Sequence, residues 1–226
     1  MILYSEKNKI LDSKHFNYLN SGNCSTVSKH GDIVLKIYKI DCKSIYRLNK
    51  SMFKQLKKLD DPNLVRLRNM YYHYKATAYK LSSIDAYTMD YIKLLPQRIT
   101  DLDRQQLLEL FLSLDETLRR LSENKIVLRD VHIKNIIINP DRIIILDPDM
   151  FYTLKTKSKS KIYSLNKNIL LFAINSIIEY ETIQNEDKLI PPFFSNNSKI
   201  SLYDEVKNTL TEDTIKQKIK VNISNN

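Results

Sequence analysis

Glycine is the scarcest structural residue in this sequence: two among 226 residues, Gly22 and Gly31. Each is therefore informative about where the chain turns, because glycine alone takes a positive φ without a steric penalty. The two cysteines, Cys24 and Cys42, have no metal-ligand spacing. They argue against a disulfide framework and for a reducing, cytoplasmic setting. No apolar run approaches the roughly 20 residues that cross a bilayer. The first residues, MILYSEKNKILD, lack the basic start and apolar centre of a signal peptide. No internal repeat is evident. What is present is a hydrophobic content of 42%, enough for the core of one ordinary domain or two small lobes. The formal net charge is +10, which favours phosphate-rich partners such as nucleotides, nucleic acid or acidic membrane surfaces. Most of these charges are scattered as on a solvated surface. The dense exception is Lys155-Thr156-Lys157-Ser158-Lys159-Ser160-Lys161, which could receive an acidic or phosphorylated partner.

The rest of the chain is organised around IVLRDVHIKNIIINPDRIIILDPD, residues 126 to 149. A polar loop carries Asp130 and Asn135. Two short runs, Ile136 to Ile138 and Ile143 to Leu146, flank a turn at Asn139-Pro140-Asp141, and Asp147 ends the second. Runs rich in β-branched residues across a Pro-Asp turn predict a hairpin. Such a hairpin would bring Asp130, Asn135 and Asp147 together, and their oxygen atoms suit Mg²⁺ and the phosphates it carries. Before this stretch, Leu107, Phe111, Leu114, Leu118 and Leu121 form the apolar stripe of a helix over 103–123, capped by Asp101 or Asp103.

This stretch resembles the protein kinase family. Leu128-Arg129-Asp130-Val131-His132-Ile133-Lys134-Asn135 is similar to its catalytic loop H-R-D-L-x-x-x-N, and Asp147-Pro148-Asp149 to the D-F-G that follows a strand pair. The resemblance implies an α+β, bilobal protein-kinase-like fold spanning 1–226. A small antiparallel β-sheet lobe would cover 1–92 and a mainly helical, shortened lobe 93–226. In it Asp130 would orient the acceptor hydroxyl, and Asn135 and Asp147 would bind Mg²⁺, with Asp149 a third candidate.

Residues 16 to 40 extend the resemblance. A strand, a turn at Asn20-Ser21-Gly22-Asn23, a second strand with Val27, a turn at His30-Gly31-Asp32 and a third strand match the family's opening hairpins. Lys36, in Val34-Leu35-Lys36, corresponds to its phosphate-holding lysine. Asn20, Gly22 and Ser25 stand where the family places loop glycines. Val27, Val34 and Ile137 would sandwich adenine, Met89 would face the back of its pocket, and the backbone at Asp90 and Ile92 would bond its edge.

The sequence departs from the family at several points. A helix is predicted over 44–59, and Met52 stands in it where the family carries the glutamate that orients the lysine. Lys36 must then be oriented otherwise, for instance by Asp147, or nucleotide binding is weakened. Leu128 replaces a histidine. His132 and Asp149 resemble small-molecule kinases of the aminoglycoside and choline type. No A-P-E follows Asp149, and Lys161, before an apolar helix over 162–180, stands where an aspartate is usual. Pro191 to Phe194 reads as an irregular segment, 201–219 as one or two short helices and VNISNN as a frayed end. The resemblance implies an ATP- and Mg²⁺-dependent phosphotransferase acting on a Ser/Thr hydroxyl of a protein. The alternatives are a pseudokinase that binds nucleotide as a scaffold and a small-molecule kinase; an RNA-linked role has only the charge behind it.

Overall fold

The computed structural model describes residues 1–6, 9–74, 84–93, 98–184, 194 and 199–210. These fall into two compact units, Met1–Lys93 with Asp147–Tyr152, and Leu94–Leu146 with Thr153–Asn226. The chain is α+β, with four α-helices among the described residues.

The first unit is a curled, wholly antiparallel sheet of seven strands: β1 (Ile2–Ser5), β2 (Ile10–Asp12), β3 (Asn17–Ser21), β4 (Ser25–His30), β5 (Ile33–Tyr38), β6 (Leu67–Tyr72) and β7 (Ala86–Asp90). Their order is β2-β1-β6-β7-β5-β4-β3. The β1–β2 hairpin was not legible in the sequence, where the N-terminal residues are too mixed to show alternation. The His30-Gly31-Asp32 turn has Gly31 at φ +54°, as its glycine suggests, whereas Gly22 is not in the left-handed region.

Because side chains alternate across a strand, register decides which residues share a face. Val27 stands opposite Lys36, Ser25 opposite Tyr38, Lys36 opposite Tyr87 and Val34 opposite Met89. One face therefore carries Ser25, Val27, Val34, Lys36, Tyr38, Tyr87 and Met89. The other packs Leu3, Leu35, Tyr71 and Ala86 into a core joined by Leu11, Phe16 and Ile37.

Helix α1 (Lys50–Leu59) starts later than the periodicity predicts, because Asn49 caps it by accepting from the Ser51 amide at 2.7 Å. It buries Met52, Phe53 and Leu56, each contributing about 1.5–3 kcal/mol through lost apolar exposure. Phe53 meets Tyr87 edge-on, with ring centroids 6.3 Å apart.

The second unit contains α2 (Arg104–Glu123), α3 (Lys159–Gln184) and α4 (Leu202–Thr209). Asp103 rather than Asp101 caps α2, in a reciprocal capping box with Gln106. A short strand, β8 (Ile126–Val127), leads into the Asp130 loop. The hairpin follows as β9 (Ile136–Ile138) and β10 (Ile143–Ile145), with Ile136 opposite Ile145 and Ile138 opposite Ile143. Its turn closes through the Asn139 amide on the Arg142 carbonyl at 3.0 Å. No helix among the described residues is long and apolar enough to cross a membrane. Residues 191–193 and 211–226, for which the sequence suggests an irregular segment, further helix and a frayed end, lie outside the described residues.

Candidate functional site

Strand β5 delivers Lys36 into a buried, acidic setting. Its ammonium lies 2.7 Å from an Asp147 oxygen and 2.7 Å from an Asp149 oxygen. Tyr38 and Tyr87 donate to the other Asp149 oxygen at 2.6 and 2.9 Å. Tyr38 reaches it because it sits two residues after Lys36 on the same face. Tyr87 reaches it because β7 registers it directly opposite Lys36. The Tyr38 hydroxyl also accepts the Leu48 amide at 2.8 Å. The chain between β5 and α1 is held for that contact by Arg47, which donates to the Cys42 and Lys39 carbonyls and to Asp85 at 2.9–3.0 Å.

The electrostatics follow from burial set against pairing. Burial alone would lower the Lys36 pKa, but the charges of Asp149 and Asp147 together outweigh it and raise the value above the usual lysine range. Burial acts in the opposite sense on the carboxyl of Asp149 and dominates there. Despite Lys36 and the tyrosine hydroxyls, its pKa is pushed up to about 6. Burial, then the Asp149 charge, drives the Tyr38 and Tyr87 hydroxyls well above the normal tyrosine value, so both stay protonated donors.

Met52 is buried on α1 and serves as core. Lys36 instead takes its acidic partners from the Asp147-Pro148-Asp149 turn, where the Asp149 amide also faces an Asp147 oxygen at 3.4 Å. Asp147 and Asp149 differ in what remains available. The Asp149 side chain is 9% exposed with both oxygens engaged, while that of Asp147 is 34% exposed with one oxygen on Lys36. Asp147 therefore suits a hard cation's oxygen shell, and Asp149 suits the positioning of Lys36. Among the described residues no group of three His, Cys, Asp or Glu side chains gathers as a metal cluster.

The other residues expected to contact nucleotide in this unit fall in three places. Val27, Val34 and Met89 share the Lys36 face. Asn20, Gly22 and Ser25 lie at the β3–β4 turn, where the Gly22 amide is spent on the Ser25 carbonyl at 2.9 Å. A Cβ added at Gly22 meets nothing within 4 Å, so open space rather than a free N–H is what that glycine offers. Asp90 ends β7 with its amide on the Arg66 carbonyl at 3.0 Å and its carboxylate paired with Arg68. Ile92 follows just beyond the strand.

In the second unit, Asp130 is exposed and sits at φ +59°, a left-handed backbone that aspartate tolerates better than most residues. Asn135 holds that loop: its side-chain amide donates to the Asp130 carbonyl at 3.0 Å and lies 3.3 Å from the His132 ring nitrogen. The Leu146 amide returns to the Asn135 carbonyl at 2.8 Å, so the base of the hairpin fixes the loop end. Ile137 is buried in β9, opposite Ile144. Asn166 was missed by sequence reading. Fully buried on α3, it accepts the Leu128 amide at 2.8 Å and donates to the Ile126 carbonyl at 2.9 Å, pinning the strand before Asp130. Lys161, five residues earlier, is exposed. A polar residue inside the apolar run of α3 was the available signal.

Lys36, Asp147 and Asp149 thus form one cluster in the first unit, and Asp130, His132 and Asn135 another in the second. Comparison with known proteins adds no name to either cluster: no protein-family model matches the sequence, and no curated protein matches it.

Proposed function

We propose that this chain is an ATP- and Mg²⁺-dependent phosphotransferase with a protein-kinase-like, two-lobed organisation, acting on a Ser/Thr hydroxyl of a protein. The observation that carries the reading is the Lys36 ammonium set between two carboxylates at 2.7 Å each. It supports the reading by supplying, from Asp147 and Asp149, the acidic partners that α1 lacks. Lys36 would bind the α- and β-phosphates as a fixed point charge, oriented from behind by Asp149 and its two tyrosines. Asp147 and Asn135, both with oxygen donors, would hold Mg²⁺, which when bound neutralises charge on the phosphates. Asp130 would accept a hydrogen bond from the acceptor hydroxyl and take its proton as the new P–O bond forms and the bond from the γ-phosphorus to the β–γ bridging oxygen breaks, with ADP as the leaving group. Val27, Val34, Met89 and Ile137 would supply the apolar surface for adenine. Positioning and charge neutralisation provide most of the rate in such a transfer, so a small set of residues suffices.

The test is Mg-ATP binding followed by thermal shift, with phosphate transfer to protein Ser/Thr measured in parallel. Asp130→Asn should keep nucleotide binding and lose about 10²–10⁴-fold in transfer, the usual contribution of a general base. Binding without transfer in the unaltered protein would reduce the chain to a nucleotide-binding module. Transfer confined to small alcohols would move it to the small-molecule kinases.

A further inference from the structure

Outside both clusters, the first unit brings its two cysteines together at one end of a hairpin. Both are free thiols. Cys24 directly precedes β4 and Cys42 follows β5, so the β4–β5 hairpin lies between them. Its register sets Ser25 opposite Tyr38. The next rung outward is closed by the Lys39 amide on the Cys24 carbonyl at 2.8 Å. Lys39 then turns the chain back, its carbonyl accepting the Cys42 amide at 3.1 Å. Both cysteines are therefore bonded through their backbones to one residue.

This end of the hairpin is held from both sides. Arg47 donates to the Cys42 carbonyl at 3.0 Å, to the Lys39 carbonyl at 2.9 Å and to the Asp85 carboxylate at 3.0 Å. The Gly22 amide donates to the Ser25 carbonyl at 2.9 Å and closes the turn that carries Cys24. Within this frame the two thiols lie in hydrogen-bonding contact. Cys42 is buried and its Sγ also faces the Lys43 carbonyl at 3.6 Å, while Cys24 is partly exposed. Burial, then the neighbouring Cys24, push the Cys42 thiol up to about 11, so it stays protonated near neutral pH. An accessible thiol beside a covered one suits a sequence in which the first meets a solute oxidant and the second resolves the product.

We propose that Cys24 and Cys42 are a modification site for a hydroperoxide, which converts them reversibly into one intramolecular disulfide. Cys24, as its thiolate, attacks one oxygen of hydrogen peroxide. An S–O bond forms, the O–O bond breaks, and the departing hydroxide takes a proton and leaves as water. The Cys42 sulfur then attacks the Cys24 sulfenic acid. The S–S bond forms, the S–O bond breaks, and the hydroxyl leaves as water with the Cys42 proton. Two thiols and one hydrogen peroxide thus give one disulfide and two waters, with two electrons passing from sulfur to the peroxide. A dithiol reductant restores both thiols by exchange. Such a bond is transient where thiols are kept reduced, unlike a framework disulfide. It would join the start of β4 to the stretch after β5 that carries the Leu48 amide to Tyr38. The site stands independently of the phosphotransferase reading.

Intact-mass analysis of the dilute, reduced full chain tests it. The chain is treated with hydrogen peroxide, quenched with catalase, then denatured and labelled with N-ethylmaleimide. The product should be a monomer lighter than the reduced chain by two hydrogen atoms, carrying no label, and dithiothreitol should restore both labelling sites. In Cys42→Ser, Cys24 should stop at the sulfenic acid and be trapped by dimedone. In Cys24→Ser, Cys42 should lose its label at least about 10-fold more slowly, since it is covered and protonated. The unaltered chain alone decides the matter should the Cys42→Ser protein not fold. Persistence of both labels under excess peroxide, oxidation of Cys24 alone to the sulfinic acid, a disulfide-linked dimer as the product, or equally fast loss of Cys42 in Cys24→Ser would overturn the proposal.

Discussion

Lys36 and Lys167 are both buried, one in each unit, and they are held on opposite principles. Lys167 is fully occluded and faces Glu205 at 3.2 Å, with the Ile200 carbonyl also accepting at 3.0 Å. Lys36 faces two carboxylates, and one of them, Asp147, is a third exposed. A closed pair ties structure together. The Lys36 cluster, with two carboxylates on one lysine and Asp147 partly open, leaves carboxylate oxygen accessible to a cation. Burial alone would rank the two lysines alike; access separates them.

The largest expected effect follows directly. Lys167→Met removes the ammonium that faces buried Glu205 and should cost about 3–5 kcal/mol in urea unfolding. Lys167→Met/Glu205→Leu should recover most of that, since a well-packed apolar replacement of a buried pair is often neutral. Lys36→Met should cost less, about 1–2 kcal/mol, because Asp149 can shed its charge by taking a proton at about 1.4 kcal/mol per pKa unit. It should nonetheless abolish phosphate transfer. The contrast breaks if Lys36→Met is the more damaging to stability, or if Lys167→Met removes transfer at temperatures where it is still folded.

The tyrosine pair sharpens the same contrast. Tyr87→Phe removes one hydroxyl from Asp149 and should cost about 1.5–3 kcal/mol, as for a hydrogen bond to a charged group. Tyr38→Phe removes a similar bond and also strands the Leu48 amide, adding about 1 kcal/mol or more for a buried donor left unpaired. Tyr38→Phe should therefore melt lower than Tyr87→Phe. In the double variant the costs should fall short of their sum, because both donate to the same oxygen. Equal, fully additive losses would mean that the two hydroxyls do not share Asp149.

The pH dependence comes next. The folded-state pKa of Asp149 is about 6 against 3.8 for the free group. An acid whose pKa is raised on folding stabilises the protein fully below about 3.8, and that contribution is lost as pH rises through about 6. The span is about two pKa units, so about 3 kcal/mol at most. Asp149→Asn should consequently gain on the unaltered protein in unfolding free energy between pH 4 and 7. Phosphate transfer should fall on the acid side with an apparent pKa near 6, as Asp149 loses the charge that orients Lys36, and Asp149→Asn should lack that limb. A difference that stays flat across this range would show that Asp149 does not titrate there.

The sequence made the Asp130 loop and the isoleucine hairpin legible because each depends on local pattern: a Pro-Asp turn and the spacing of polar residues around apolar runs. Lys36 was singled out only through the resemblance of Val34-Leu35-Lys36 to the kinase family's third strand. The sequence also pointed to Asp147 as a stand-in for the missing helix glutamate. Tyr87 was not legible, since its place beside Asp149 depends on the register between β5 and β7, a long-range fact. Tyr38 was within reach, because it lies two residues after Lys36 on a predicted strand and must share its face. Asn166 and Arg47 were hidden for another reason. Both work by bonding backbone carbonyls and amides, and nothing in a side-chain pattern reveals which backbone groups need a partner. The β1–β2 hairpin was missed because its strands are short and end in polar residues.

The smallest effects distinguish the two glycines, and they extend the contrast from charge to shape. Gly31 has φ +54° with open space around it. Gly31→Ala should cost about 1 kcal/mol through backbone strain alone. Gly22 has neither a positive φ nor a neighbour within 4 Å of an added Cβ, so Gly22→Ala should shift stability by less than about 0.5 kcal/mol. What Gly22 can still provide is room for a ligand at the β3–β4 turn. If nucleotide phosphates approach there, Gly22→Ala should weaken Mg-ATP binding without moving the melting temperature, and Gly31→Ala should do the reverse. A Gly22→Ala protein with unaltered nucleotide affinity would take the turn out of the proposed binding site, leaving Lys36 as the phosphate contact proposed for the first unit.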